Sequence, residues 1–188
     1  MRHALIAFVA ALMLSACGQS SSSVMDEIAR AEKEASDHAA ALAAQSPDFI
    51  ARQRDRAGVR TTSSGLVYEI TRPASNTSLP RPPRDAEVLV EYEGKLPDGT
   101  VFDSSAAHGG PANFPITGVV PGFGEALMLM RPGEEIVAYL PANLAYGERG
   151  SLPTIPPNVA LEFRIRLLAF ARRDGTMVAM PGLNLQGR

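Results

Sequence analysis

Between residues 61 and 171 apolar positions alternate with polar ones, whereas the residues before them repeat at intervals of three and four. Val88, Val90 and Tyr92 alternate with Glu87, Glu91 and Glu93, the pattern of a strand with one buried face. Residues 66–70 begin this region, residues 80–83 break it with proline, and Ile136, Ala138 and Leu140 predict another strand. Leu161, Phe163, Ile165, Leu167 and Ala169, set against Glu162, Arg164 and Arg166, predict the last and longest. Pro97-Asp98-Gly99 predicts a tight turn, because proline presets one dihedral and glycine accepts a positive one; it folds residues 101–103 back on the preceding strand. Within this β pattern Phe123, Leu127 and Met130 fall at i, i+4 and i+7, opened by Pro121 and stopped by Arg131-Pro132-Gly133. One short helix must therefore cover the sheet. An antiparallel twisted sheet wrapped around a single short helix is an α+β domain, expected here over residues 61–171.

Ahead of it, Met25, Ile28, Ala35, Ala39 and Leu42 form one helical stripe. Glu32 interrupts the stripe and alanines dominate it, which favours a solvated helical stalk over residues 24–58; a weak homodimer through the stripe is the alternative. Ser46-Pro47 reads as a restart of the helix, serine as N-cap and proline at the first helical position, with Asp48 suiting the dipole and Gly58 ending the segment. Residues 172–188 read as a polar tail without firm packing.

The first residues have a different character. Arg2, an apolar run over residues 4–14 and the small residues before Cys17 predict an exported signal peptide over residues 1–16. The run is too short to span a bilayer. Leu14-Ser15-Ala16-Cys17 resembles the lipobox of bacterial lipoproteins, which implies that Cys17 is lipidated and becomes the mature N-terminus. Gly18, where aspartate would signal retention, resembles the outer-membrane-sorted class. Residues 17–23 are then the lipidated cysteine and a serine-rich tether. The expectation is a protein of the bacterial cell envelope, bound to the membrane through its lipid anchor, most naturally at the outer membrane facing the periplasm or the cell surface.

Composition narrows the chemistry. A chain of 188 residues holds one main domain plus accessories, and a net charge of -2 without a basic block argues against a nucleic-acid partner. Cys17 is the only cysteine, so the mature chain offers neither a disulfide nor a thiol nucleophile. His3, His38 and His108 are scattered, with no metal-binding spacing among them, so no metal is expected. Gly122-Phe123-Gly124 lacks the rest of a dinucleotide fingerprint and reads as a helix-start turn. No cofactor is expected either. Ser104-Ser105 has no histidine on a plausible neighbouring strand.

What remains is a set of aromatic residues around one carboxylate: Tyr92 in VEYEG, Phe102 and Asp103 in DGTVFDSS, Val119 to Phe123 in VVPGFGEAL, Tyr146 in LAYGERG, Ile155 in TIPPN and Phe163 in LEFRI. In this order and at these separations they resemble the FKBP-type peptidyl-prolyl cis-trans isomerases, over residues 65–171. The resemblance implies a pocket in which Tyr92, Phe102, Asp103, Tyr146 and Phe163 are catalytic and Phe114, Val119, Val120, Phe123 and Ile155 hold the substrate. It also implies that Tyr146 and the backbone N–H of Val120 hydrogen-bond the carbonyls flanking the proline, that Asp103 orients polar groups at the rim, and that none acts as a general base. The implied partners are proline-containing polypeptides, with rapamycin-type macrolides as inhibitors. The sequence departs from the family at Phe123, where tryptophan is usual. A non-catalytic chaperone or adhesion module using the same pocket is the other reading; Asp103, Tyr146, Phe102 and Phe163 favour the enzyme, because a pure scaffold has no need of a polar rim.

Overall fold

A computed structural model describes residues 19–184. Helix α1, Gln19–Arg54, opens it and belongs to two compact units, the first reaching Ala39 and the second starting at Ala40. In the first unit α1 is exposed: Val24, Met25 and Ile28 are 52%, 65% and 45% accessible. Lys33 meets Asp37 one turn on at 2.6 Å, a pair that supports an isolated helix only slightly. The expected signal peptide and Cys17 lie outside the described residues.

The helix does not restart at Ser46-Pro47, contrary to the sequence expectation; Pro47 lies inside α1. The Ser46 hydroxyl, instead of capping a new helix, donates to the Leu42 carbonyl at 2.8 Å and accepts from the Ala160 N–H at 2.8 Å. That buried hydroxyl ties the helix to the sheet across the very turn where proline removes a backbone donor. Leu42, Ser46, Phe49 and Ile50 are all buried, so the second half of the expected stalk is part of the folded domain.

The remaining elements are β1 Arg60–Thr61, β2 Val67–Arg72, β3 Glu87–Lys95, β4 Val101–Ser104, β5 Ala112–Pro115, α2 Pro121–Leu129, β6 Glu135–Leu140, β7 Leu161–Ala171 and β8 Met177–Ala179. All pairings are antiparallel and the sheet runs β1-β2-β6-β7-β3-β4, with β5 also on β3 and β8 on β7. Strand β8 corrects the expectation of a loose tail: Met177 pairs with Ala171 and Ala179 with Ala169. The turn at residues 97–99 forms as expected, Gly99 taking φ 88° and its N–H donating to the Leu96 carbonyl.

Alternation gives the sheet two apolar faces. Ile136, Ala138 and Leu140 join the main core under α2, with Phe123, Ala126, Leu127 and Met130. Val137 and Tyr139, pointing the other way, join Phe49, Ile50, Val67 and Ala160 in a second cluster beneath α1. On β7 the inward series Leu161, Phe163, Ile165, Leu167 continues at Phe170 and not at the expected Ala169. The reason is a register shift opposite Leu89 and Val90, which pair with Ala169 and Leu167 and leave Leu168 as an inserted residue.

Candidate functional site

The site begins with the way β3 is paired. Along one edge it meets β5 through residues 87–90 and β4 through residues 93–95, leaving a gap at residues 91 and 92. Ser105 fills that gap: its N–H donates to the Tyr92 carbonyl at 2.9 Å, and its buried hydroxyl accepts from the Tyr92 N–H at 3.0 Å. Strict alternation would send Phe102 and Asp103 to opposite faces. Strand β4 avoids this with a bulge, since Gly94 pairs with Asp103 but Lys95 pairs with Val101, so Phe102 is the extra residue. A bulge re-aims side chains, and here adjacent residues both serve the same end of the domain.

Phe123, at the start of α2, is the hub of the aromatic cluster. Its ring lies edge-to-face against Phe163 at 5.0 Å, Tyr92 at 6.0 Å and Phe114 at 6.5 Å. Phe102 meets Phe163 at 5.5 Å, and Tyr92 meets Phe114 at 5.7 Å. Edge-to-face packing brings the positive rim of one ring to the negative face of the next, adding to what area burial contributes. Gly94 makes room for it: a Cβ there would stand 2.5 Å from Phe102 and 2.8 Å from Phe163. Phe123 and Phe163 are buried, while Tyr92, Phe102, Phe114, Val119 and Val120 are only partly covered, so the cluster opens to solvent on one side.

At that opening stands Asp103. Its Oδ2 accepts from the Tyr92 hydroxyl at 2.7 Å and its Oδ1 lies 2.9 Å from His108 Nε2. Burial works against the ionised carboxyl, but the hydrogen bonds from Tyr92 and His108 outweigh it and hold Asp103 below the usual aspartate value. Burial first, then the bond to Asp103 and its charge, push the Tyr92 phenol far above the ordinary tyrosine value, so it stays protonated and donates. Burial, then the Asp103 charge, raises Tyr146 in the same direction, which puts Tyr146 within electrostatic reach of this rim.

Tyr146 and Ile155 come from the segment between β6 and β7. Tyr146 precedes a short turn, Gly147–Arg149, and is 38% exposed; Ile155 is 3% exposed and belongs to the core. Paired bonds between Ser151 and Ile155 at 2.7 and 2.9 Å, and the Asn158 N–H to the Gly147 carbonyl at 2.8 Å, hold the segment. Gly150 has φ 63° and no space for a side chain, since a Cβ would stand 2.5 Å from the Ile155 carbonyl oxygen. Val119 and Val120 lead into α2, the Val120 carbonyl accepting from Phe123 and Gly124 at 3.1 Å.

The fold thus gathers Tyr92, Phe102, Phe114, Val119, Val120, Phe123, Ile155 and Phe163 in one apolar cluster, with Asp103 and Tyr146 at its polar edge. Gly94, Ser105 and His108 were not singled out as site residues from the sequence. Gly94 follows two residues after Tyr92 on the same face, which is the signal that could have found it; Ser105 and His108 depend on the register of β4, which alternation does not reveal. An open groove of about 320 Å³ is lined by Glu91, Glu93, Glu135, Arg164 and Arg166 together with Tyr92, Ser104, Ser105, Ala106 and Gly110; its ion pairs Arg166–Glu91 and Arg164–Glu135 make it more polar than the aromatic cleft.

An antiparallel sheet with one short helix on its inner face, and an aromatic cleft with a phenol–carboxylate pair at its mouth, define an α+β domain built to hold a ligand by shape and desolvation. The family model described as FKBP-type peptidyl-prolyl cis-trans isomerase matches residues 80–168, and that for the domain amino-terminal to it matches residues 7–70. A crystal structure of a peptidyl-prolyl cis-trans isomerase from Pseudomonas syringae is 32% identical, with a TM-score of 0.64 over 71% of this chain and 95% of that one. The probable FKBP-type isomerase FkpA of Neisseria meningitidis is 42% identical over 71% of this chain and 48% of its own length. The outer membrane protein MIP of Legionella longbeachae is 40% identical over 64% of this chain and 51% of its own. The chain belongs to the FKBP-type peptidyl-prolyl cis-trans isomerase family, and it spans about half the length of these curated relatives.

Proposed function

We propose that this protein is a peptidyl-prolyl cis-trans isomerase that assists the folding of exported or envelope proteins. The barrier to rotation, about 18–20 kcal/mol, comes from amide resonance. At the twisted transition state that resonance is lost and the charge separation of the amide falls, so an apolar pocket favours the twisted form over the planar one. This is catalysis by differential binding, without a covalent intermediate. The observation that carries it is the cleft in which Phe123 touches Tyr92, Phe114 and Phe163 while the Tyr92 hydroxyl donates to Asp103.

Within this reading the proline ring lies among Tyr92, Phe102, Phe123, Ile155 and Phe163, flanked by Phe114 and Val119. The Tyr146 hydroxyl and the Val120 N–H bind the neighbouring carbonyls, and Asp103 keeps the Tyr92 ring aligned. Uncatalysed isomerisation takes tens to hundreds of seconds. A protease-coupled assay on a proline peptide should show that relaxation accelerated in proportion to protein concentration; peptide binding without acceleration would assign a non-catalytic module in its place. Rapamycin-type macrolides, which suit the same apolar pocket, should compete, and calorimetry without heat of binding at about 10 µM would reject that ligand class.

The anchor is proposed on the Leu14-Ser15-Ala16-Cys17 motif: Cys17 carries the lipid and the protein sits in the cell envelope, at the outer membrane. The name of the Legionella relative supports the same compartment. No helix among the described residues is long and apolar enough to cross a membrane. Cys17→Ser should free the protein from the membrane fraction, and a variant that stays there at the processed mass would overturn the anchor.

A further inference from the structure

His108 lies outside the residues the family resemblance nominates, yet it closes a ring of hydrogen bonds around the cleft mouth. Its Nε2 faces Asp103 Oδ1 at 2.9 Å, and Asp103 Oδ2 accepts from the Tyr92 hydroxyl at 2.7 Å. The Tyr92 backbone is held by Ser105 through its N–H and its hydroxyl, and the Ser105 carbonyl accepts the His108 N–H at 3.1 Å. Side chains and backbone therefore return to the same residue. The turn Ala106–His108 that presents the imidazole ends at Gly109, whose φ of 89° suits only glycine.

We propose that His108 is a positioning residue of the cleft, its charge state setting how firmly Asp103 and Tyr92 are held at the rim and so tuning isomerisation with pH. This rests on the isomerase reading of the cleft. A carboxylate only accepts hydrogen bonds, so a neutral imidazole binds Asp103 solely in the tautomer with its proton on Nε2, whereas a charged one always donates and adds Coulomb attraction. The titratable groups assembled here are His108 from the turn, Asp103 from β4, Tyr92 from β3 and Tyr146 from the segment before β7. Asp103 is held ionised and both phenols are held protonated, so none of these changes charge near neutrality. Imidazole is the side chain whose nature is to do so between pH 5 and 8. With 67% of the His108 side chain exposed, solvent protons reach it directly.

The test is kcat/KM on a proline peptide, measured with the full chain across roughly pH 5–8. Wild type should be about two- to five-fold more active at the acid end, the scale set by a half-exposed ion pair. His108→Arg should keep the acid-end activity throughout, and His108→Ala the lower value throughout. A flat wild-type profile, or a His108→Ala profile that still follows the wild type, would overturn the proposal. A second measurement does not require turnover: the ring signals of Tyr92 in NMR spectra should move with pH over the same range and stop moving in His108→Ala and in Asp103→Asn. Tyr92 signals that ignore pH would overturn the positioning role whether or not the protein is an isomerase. Signals that respond in a protein without turnover at any pH would uphold the ring of bonds and reject the isomerase reading.

Discussion

On the outer face of the sheet the second half of α1 buries Phe49 and Ile50 against Val67, Val137, Tyr139 and Ala160, none more than 8% exposed. On the inner face α2 is only 9 residues long. A helix of that length spans about 14 Å, whereas the 9 residues of β3 extend for about 30 Å. The outer helix completes its interface, and the inner one leaves sheet uncovered. There the exposed end is lined by aromatic rings, with Asp103 and Tyr146 at its edge. Two tyrosines make the same contrast. Tyr139 accepts a hydrogen bond from the Arg56 guanidinium at 2.7 Å and locks the end of α1, which Arg56 also ties to Glu69; Tyr92 donates to a carboxylate at an open mouth. A closed aromatic contact stabilises, while an open one is available to a ligand.

Paired truncations separate the faces most strongly. Phe163→Ala and Phe49→Ala should each cost about 3–5 kcal/mol of unfolding free energy in urea titrations, as large-to-small changes at buried phenylalanines do. Only Phe163→Ala should also reduce kcat/KM in the folded fraction, by about tenfold or more, each factor of ten being ~1.4 kcal/mol of transition-state stabilisation. Equal activity loss in both variants would erase the distinction between a structural and a functional face.

A smaller effect is expected at Ser46. Its hydroxyl bridges the Leu42 carbonyl and the Ala160 N–H, so Ser46→Ala leaves a buried donor unpaired and should cost about 1–3 kcal/mol with kcat/KM unchanged. Denaturation midpoints equal to wild type would mean that this bond does not fasten α1 to the sheet.

Asp103 should give the smallest change in stability. Its folded-state carboxyl titrates below the ordinary aspartate value, so its stabilising contribution is complete above about pH 4 and is lost as pH falls through the folded value. Melting curves of wild type and Asp103→Asn should therefore differ slightly at neutral pH and converge in acid. A gap that goes on widening below about pH 4, where the carboxyl itself takes up a proton, would mean that the carboxylate is not what Tyr92 and His108 stabilise. Tyr92 has the opposite sign: its raised phenol favours the folded state until the alkaline range, beyond any physiological pH.

Much of this architecture follows from pattern. The period-2 runs on β3, β6 and β7, the Pro-Asp-Gly turn and the i, i+4, i+7 stripe of α2 each mark a single local structure, and the fold keeps them. Misreadings occur where a distant partner overrides local chemistry. Ser46-Pro47 has the sequence of a helix start, but the Ala160 N–H, more than a hundred residues away, takes the serine oxygen and α1 continues through the proline. Alternation along β7 holds until Leu168, where pairing with β3 slips by one residue and Phe170 takes the place expected of Ala169. The aromatic set of the cleft was legible because its motifs recur in a known order. The bulge that turns both Phe102 and Asp103 toward it, and the contact that brings His108 to Asp103, arise from strand register, which composition and spacing do not encode.

The most direct test of the account compares catalysed cis-trans exchange of a proline peptide by wild type and by Phe102→Ala, with both chains shown to be folded by circular dichroism. Phe102 is only partly buried and meets Phe163 edge-to-face at the cleft, so its loss disturbs the pocket more than the core. Wild type should accelerate exchange, and Phe102→Ala should lose about tenfold of that acceleration, equivalent to ~1.4 kcal/mol of transition-state binding. Exchange at the uncatalysed rate with wild type, or full activity in Phe102→Ala, would contradict it.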